Sequence, residues 1–384
     1  MTPTTACPLK TTTFFQLLAQ TPGLDLRDNR GKRHSLALVL TGLVAALCCG
    51  RDGNLSRLHR HMVHHFESLL TATQLTDHKV ISRAQLPILL AKVNGVGFAR
   101  LLFEWFGFAL DEDQKEWFAV DGKELRGSIQ AGHTRGQVCV SAVAHQSQQV
   151  VGQSFYCGRK ESERPSVSQL LVEHSLCHQK ISLDALHMIP LTLRSIHGSG
   201  GFYLVGLKAN QATLYRQCVC RSLFEESDYK QVGLTIKQHG RLEQRTYQCY
   251  SVGSSVLAPR WHPTGLATLI GVERCRQQAG VVSHQTHYFV SNAQVSSQAE
   301  ADELFEAIGQ HWCVEVMHHR RDVSLAEDRL RTNKAAVSRL VGSLRTLVIN
   351  LLGRMNVKNM AAQLETFADS FPTLIQFLTQ QMVL

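Results

Sequence analysis

The order of apolar and polar positions divides the chain into a helical first third, a central stretch of short strands and a helical end. From Thr11 to about Leu110, apolar residues recur every three or four positions in TFFQLLAQ, LALVLTGLVAAL and ILLAKVNGVGFARLLFEWFGF. That is the period of helices with one buried face. Between them lies RLHRHMVHHFESLL, whose Arg and His residues predict a basic face suited to DNA. After Asp111 the texture changes to EWFAVD, QVCVSAVAHQ, QQVVGQSFY, QKISLDAL and GGFYLVGLK, short runs rich in β-branched and aromatic residues. Helical segments SVSQLLVEHSL and HMIPLTLRSIHG interrupt the later ones, which predicts a mixed sheet with helices on its faces.

From Ala212 to Asn292 the helical pattern fades, and RTYQCYSV, LATLIGV and HQTHYFVS predict a β-rich insertion. A single helix is then expected over SQAEADELFEAIGQHWCVEVMHH, opened by a capping box of Ser297 and Glu300. Its apolar stripe would be Leu304, Phe305, Ile308, Trp312 and Val316. From Asn333 the chain is helical again, with a last helix broken near Pro372. The expected units are therefore a helical N-terminal domain (1–110), a first core part (111–211), the insertion (212–295), the rest of the core (296–350) and C-terminal helices (351–384).

Composition narrows the function. With 44% hydrophobic and 18% charged residues the chain is globular, neither disordered nor of low complexity. Forty Lys and Arg against 31 Asp and Glu leave +9, so nucleic acid is the first partner to consider. The apolar run Leu36 to Cys49 has 14 residues, short of the roughly 20 that a membrane span needs, and is expected to be a buried helix. Eleven Cys without a CxxC pair point to reduced thiols in the cytosol rather than a disulfide framework or zinc ribbon. His61, His64 and His65 have a metal-like spacing but lack the Glu of a metalloprotease helix, and no P-loop, GxSxG or GxGxxG is present, so no nucleotide cofactor is expected.

Two acids stand out because each closes an apolar strand: Asp121 after EWFAV and Asp184 after KISL. Acids at strand C-termini project to where ligands bind such sheets. Two carboxylates about 4 Å apart repel by roughly 4 kcal/mol at an effective dielectric of 20, so they need a cation or a shared proton. Oxygen-only ligands favour Mg²⁺ or Mn²⁺, and a pair of such ions is the common device for phosphodiester chemistry. Each acid also has a plainer use, Asp121 in an Asp-Gly turn and Asp184 as a helix cap. Glu315 shares one side of its helix with His311, Trp312, His318, His319 and Asp322.

The strings FAVDGKELRGS, ISLDALH, YLVGLKANQATLY, HGRLEQRTY and HWCVEVMHHRRDVSLAEDRLR resemble, in order, the motifs of the ISAs, or H-repeat-associated, insertion-sequence transposases. LRDNRGKRHSLALVLTGLVAAL is similar to the helical domain that precedes their catalytic domain. The resemblance implies an α/β fold: an RNase H-like mixed-sheet catalytic core with a β-rich insertion, preceded by the all-helical N-terminal domain. It implies a DDE triad of Asp121, Asp184 and Glu315 binding two Mg²⁺ ions, with separations of 184 − 121 = 63 and 315 − 184 = 131 residues. It further implies cleavage and strand transfer of DNA at the element's ends, by at least a dimer. Lys123, Arg126, Lys208, Asn210 and His311 are the expected DNA contacts.

The sequence departs from the family pattern around the third acid, with Val316 for Asn, Arg320 for Trp and no basic residue at Gly309. A Tyr, Arg, Glu, Lys signature of the broader group falls here on Ile308, His311, Glu315 and Asp322. Glu327 and Asp328 remain rival third acids. A DNA-binding protein that has lost catalysis, and a nuclease without strand transfer, are the alternative readings.

Overall fold

The computed structural model describes residues 12–384, apart from 51–52, 109, 111–113, 159–162, 239, 254, 256, 356 and 358. The expected boundary at 110/111 and His239 of the HGRLEQRTY motif thus lie at or outside the edge of the described residues.

The first unit is helical, as its period requires: α1 (Phe14–Gln20), α2 (Leu36–Cys48), α3 (Leu55–His64), α4 (Phe66–Thr73), α5 (Leu86–Leu90) and α6 (Gly95–Phe106). Side chains of Thr13, Ser35, Asn54 and Asn94 accept backbone N–H bonds at the starts of α1, α2, α3 and α6, each satisfying a donor the helix leaves open. Every residue of α2 is buried, which is why its sequence is apolar all round. In the histidine-rich segment His59 and His61 are buried, while Arg57, Arg60 and His64 stay exposed. His59 Nε2 lies 2.7 Å from the Ile81 carbonyl oxygen, and His65 stacks on Phe371 with ring centres 3.8 Å apart.

The sheet strands and their helices follow: β1 (Trp117–Leu125), β2 (Gln137–Ala144), β3 (Val150–Cys157), α7 (Glu163–Glu173), β4 (Lys180–Leu183), α8 (Pro190–Gly198) and β5 (Phe202–Leu207). The next segment opens with a helix, α9 (Ala212–Phe224), before β6 (Tyr229–Val232), β7 (Ile236–Gln238), β8 (Arg241–Ser251), β9 (Thr268–Gln278) and β10 (Val281–Ser291). The insertion is therefore not all strand from Ala212, because ATLYRQCVCRSLF buries Leu214 and Cys218 one helical turn apart. Its strands do not form a sheet of their own. Among the described residues there is one 10-stranded sheet in the order β3-β2-β1-β4-β5-β10-β9-β8-β6, with β7 also paired to β8.

In the first half, β1, β4 and β5 are parallel while β2 and β3 fold back antiparallel, the strand order of the expected RNase H-like core. β10 joins antiparallel to β5, and the pairing stops at Tyr288 opposite Leu207. Residues 281–287, with β9 and β8 alongside, overhang the C-terminal edge of the core strands by about 20 Å at the usual rise per residue.

The expected single helix after the insertion is two, α10 (Gln298–Gln310) and α11 (Trp312–His319), broken at His311 and continued by a π-helical turn over 320–324. The break moves the buried stripe. Leu304 and Phe305 are buried as expected, but beyond it the inward residues are Cys313, Val314 and Met317, while Trp312 is 61% exposed. The end of the chain is α12 (Ala335–Arg354), α13 (Met360–Asp369) and α14 (Phe371–Gln380), with Ser370 capping the helix that the Pro372 break starts. By length and composition alone α12 could cross a membrane, yet it is buried here and carries Arg345 and Asn350 into the core.

The C-terminal helices pack into the same hydrophobic core as the N-terminal ones, with Phe14, Leu43, Leu102, Leu347 and Leu378 in one cluster. Backbone bonds close it: the N–H groups of Phe14 and Phe15 donate to the Met382 and Val383 carbonyls at 2.8 and 2.9 Å.

At the sheet edge, buried Asn350 of α12 acts as one more strand residue. The Val150 N–H donates to its Oδ1 and its Nδ2 donates to the Val150 carbonyl, both at 2.8 Å. Asn350→Leu would strand both backbone groups in the core, and urea unfolding should show a loss of about 3 kcal/mol.

Candidate active site

Register brings the two aspartates together. Val120 of β1 sits opposite Leu183 of parallel β4, so Asp121 and Asp184 are the next residues on adjacent strands. Asp121 does not end its strand, since β1 runs on to Leu125 against β2, but it stands where β4 gives out. Asp184 caps a short 3-10 turn over Ala185–His187, accepting the Leu186 N–H at 2.9 Å. The capping use and the siting beside Asp121 coexist. Gly206 of β5 lies under this turn, and a Cβ there would come 3.3 Å from the Ala185 nitrogen.

A third carboxylate, Glu163 at the start of α7, joins the pair, and the sequence reading did not single it out. A Cβ on Gly122 would lie 3.3 Å from Glu163 Oε1, so Asp121's neighbour admits it by having no side chain. Tyr156 donates its hydroxyl to Glu163 Oε2 at 3.2 Å. The wholly buried His187 sits between acids, its Nε2 3.5 Å from Glu163 Oε1 and 3.8 Å from Asp184 Oδ1. His187 was visible in the ISLDALH string, whereas ESERPSVSQ around Glu163 offers no pattern that separates it from a solvated helix start.

The electrostatics follow from this crowding. Burial drives the Asp121 carboxyl up, the Gly122 N–H draws it partly back, and the charges of Asp184 and Glu163 push it further, to about 7. Glu163 is held low, first by its hydrogen bond with His187, against burial.

α11 lies across β1 and β2 and presents His311, Glu315 and His318 at the helical spacing of one face. His311 Nδ1 lies 2.9 Å from Ser182 Oγ on β4, which is itself 2.9 Å from His145 Nε2. Burial holds His311 below the usual imidazole range, against the nearby Asp184. His318 Nδ1 lies 3.6 Å from Asp121 Oδ2, and burial, then Arg321 and Lys123, drop His318 to about 3, so it meets Asp121 as a neutral ring. Glu315 stands between these two histidines on an exposed stretch of helix, and desolvation raises its carboxyl. Among the described residues, no three His, Cys, Asp or Glu side chains converge closely enough to hold one metal ion.

The other expected contacts are placed as follows. Lys123, 8% exposed, gives its ammonium to Asp322 at 2.7 Å, Asp328 at 3.6 Å and Glu327 at 3.7 Å. The Arg126 side chain is open, and its backbone N–H donates to Asp328 Oδ1 at 3.2 Å. Lys208 is exposed just past β5. Asn210 donates to the Ala185 carbonyl at 2.9 Å and so steadies the turn that carries Asp184.

The rival acids belong to a different structure. Glu327 is buried and takes a two-pronged bond from Arg321, at 2.8 and 2.7 Å, with Arg345 Nη1 at 3.9 Å. Arg345 also donates to the carbonyls of Leu325 and Gly53. Burial pushes the Glu327 carboxyl up, but Arg321, Arg345 and Lys123 outweigh it and leave the group at about 2. Glu327 thus locks the turn after α11 onto β1 and α12. The turn at Gly127 packs equally tightly on this segment, since a Cβ there would meet the Leu330 carbonyl oxygen at 2.2 Å.

Residues 112–351 match the family described as the transposase DDE domain. The chain is 24% identical over 342 residues to the H repeat-associated protein YhhI of Escherichia coli strain K12, which carries a provisional transposase name; the match covers 85% of this chain and 87% of that one. It is 26% identical over 276 residues to YncI of Escherichia coli O157:H7, also provisionally named a transposase, covering 68% of each. Among solved structures, a piggyBac transposase in a synaptic complex with hairpin DNA covers 90% of this chain and 72% of its own, at 9% identity and a TM-score of 0.43. With well over half of its length matched by that one domain, the chain belongs to the DDE transposase family.

Proposed function

We propose that this chain is a DNA transposase that cuts phosphodiesters at the ends of an insertion sequence and joins the freed 3′-hydroxyl to target DNA. The observation that carries the reading is the juxtaposition of Asp121 on β1 with Asp184, the residue just past the end of the parallel strand β4. The donor set fits a divalent cation, because Asp121 is lifted partly by its carboxylate neighbours and a cation relieves that repulsion. Mg²⁺ keeps several of its waters, so a carboxylate pair suffices as the protein's share of a site. When bound, such ions, two in our reading, supply Lewis acidity and a lowered pKa for water or hydroxyl.

The chain's own residues do the rest. Asp121 and Asp184 would hold the ions, and His187 and Asn210 fix the turn that aims Asp184. Glu315, on the helix face between His311 and His318, is the third acid of this reading. His311 lies near Asp184, and with Lys208 and Arg126 it would touch the substrate backbone; Lys123 turns its ammonium to Asp322, Asp328 and Glu327 instead. Strand transfer needs two ends at once, so the working form on DNA is at least a dimer.

The test is nicking of duplexes carrying the element's terminal inverted repeats, with Mg²⁺ or Mn²⁺ against EDTA. Metal-dependent nicks followed by joined products are expected. Binding without a cut under either metal would favour a DNA-binding protein that has lost catalysis, and cuts without joining would favour a nuclease. Glu315→Gln should lower nicking by about 100-fold or more while DNA binding persists. Full activity in that variant would move the third role to another acid, Glu163 first.

A further inference from the structure

Beyond the carboxylates, the same sheet face carries a second charged constellation. Paired residues share a face, and the register runs Ala119, Ser182, Leu204, Ser291, Thr268 and Ser251 across the sheet. Two residues on from Ala119 and Ser182 are Asp121 and Asp184. Stepping by twos in the same direction along β8 and β9 reaches Arg245 opposite Arg274, then Glu243 opposite Arg276, then Arg241. All lie on the overhanging part of the strands, beyond the cluster of Cys249, Ile270 and Val272 that α10 covers.

Glu243 is the centre of this group. Arg274 Nη2 reaches it at 2.7 Å, Arg276 Nε and Arg245 Nη2 at 3.0 Å, and Arg241 Nε at 3.9 Å. Burial pushes its carboxyl up, yet the hydrogen bonds of Arg274, Arg245 and Arg276 bring it down to about 2, so it is charged at every working pH. Four guanidiniums less one carboxylate leave +3 on a flat strand surface, and the arginine side chains are 22% to 40% exposed. Lys208 extends the field toward the site: after burial, the charges of Arg274, Lys208, Arg245 and Arg276 all act to hold His287 low.

A single partly buried carboxylate is too little acid to satisfy four planar forks, each of which can grip an oxyanion by two parallel bonds. We propose that this arginine ladder, with Lys208, is a track for the phosphate backbone of duplex DNA flanking the bond held at Asp121 and Asp184. Glu243 spaces the guanidiniums and keeps them from repelling one another until phosphates arrive. A polyanion fits the surface because the charge is repeated, of one sign and continuous with the carboxylate edge on one face. The inference rests on the transposase reading for the identity of the DNA, but its test needs no cleavage.

Binding to a random-sequence duplex of about 40 base pairs is measured by anisotropy in EDTA, as a function of salt. Removing two phosphate contacts with Arg245→Gln/Arg274→Gln should reduce the slope of log affinity against log salt by about 2. Between about 50 and about 200 mM salt, that variant should lose about tenfold less affinity than the unaltered protein. Glu243→Gln should act oppositely and bind more tightly, since it removes the one repelling charge and keeps the shape. An unchanged slope in the arginine variant would overturn the track. So would weaker binding by Glu243→Gln, because the cluster would then be a structural lock only. Failure of the unaltered protein to nick with Mg²⁺, alongside the expected slopes, would sink the transposase reading and leave the DNA track standing.

Discussion

Asp121→Asn is expected to abolish DNA cleavage, by about 1000-fold or more, and at the same time to make the metal-free protein more stable. Both effects come from one cause. Asp121 is about a quarter exposed and stands beside Asp184 and Glu163, so its ionised form is unwelcome until a cation is bound. A folded-state pKa of about 7 against the ordinary 3.8 means that the folded protein binds this proton more tightly than the unfolded chain does. The stability cost is absent below the unfolded value, grows as pH rises between the two, and is complete above about 7. At about 1.4 kcal/mol per pH unit it reaches the order of 4 kcal/mol. Asparagine cannot ionise, so urea unfolding at pH 8 in EDTA should show a gain of a few kcal/mol that vanishes at pH 4. A variant that loses both activity and stability at pH 8 would mean that Asp121 is a structural residue.

Glu327 should behave in the opposite way. Glu327→Gln leaves Arg321 and Arg345 buried without a counter-charge, and breaking such a pair costs about 3 to 5 kcal/mol. Its folded-state pKa of about 2 lies below the ordinary carboxylate value, so its stabilisation is present above that ordinary value and is lost as pH falls toward 2. Chemical denaturation from pH 7 down to pH 2 checks this, and a flat profile in the unaltered protein would refute it. If Glu327 were instead a catalytic ligand, its replacement would silence cleavage without unfolding.

How far the fold could be read in advance depended on whether a signal was local. Helices α2 and α12 and strands β1, β4 and β5 announce themselves by period and composition, and LALVLTGLVAAL could only be a buried helix at that length. Asp184 was legible because a strand's end is itself a local event, and Asp121 because the apolar run EWFAV stops there although β1 runs on to Leu125. Glu163 was not, because its place beside Asp121 depends on how α7 packs on the sheet and on Gly122 lacking a side chain. The kink at His311 escaped for a similar reason. Gly309 is the weakest helix former in AIGQHWCVEV, too mild a signal by itself, and the contact of His311 with Ser182 across 129 residues accompanies the break. The arginine ladder is hidden in another way, since RLEQRTY and VERCRQQ look like ordinary alternating strands until the pairing register superimposes them.

The bonds from Phe14 and Phe15 to Met382 and Val383 bear on how a ribosome can make this protein. The apolar faces of α1, α2 and α6 find their partners in α12 and α14, so residues 14–106 must wait for residues 335–380 before their core closes. At the usual pace of synthesis that wait is on the order of 20 to 60 seconds. During it the sheet can assemble while the N-terminal helices stay incompletely buried and open to chaperones. A nascent chain interrupted before residue 382 would lack the backbone bonds to Phe14 and Phe15, so the emergence of α14 and of Met382 and Val383 after it is the step that lets this core close.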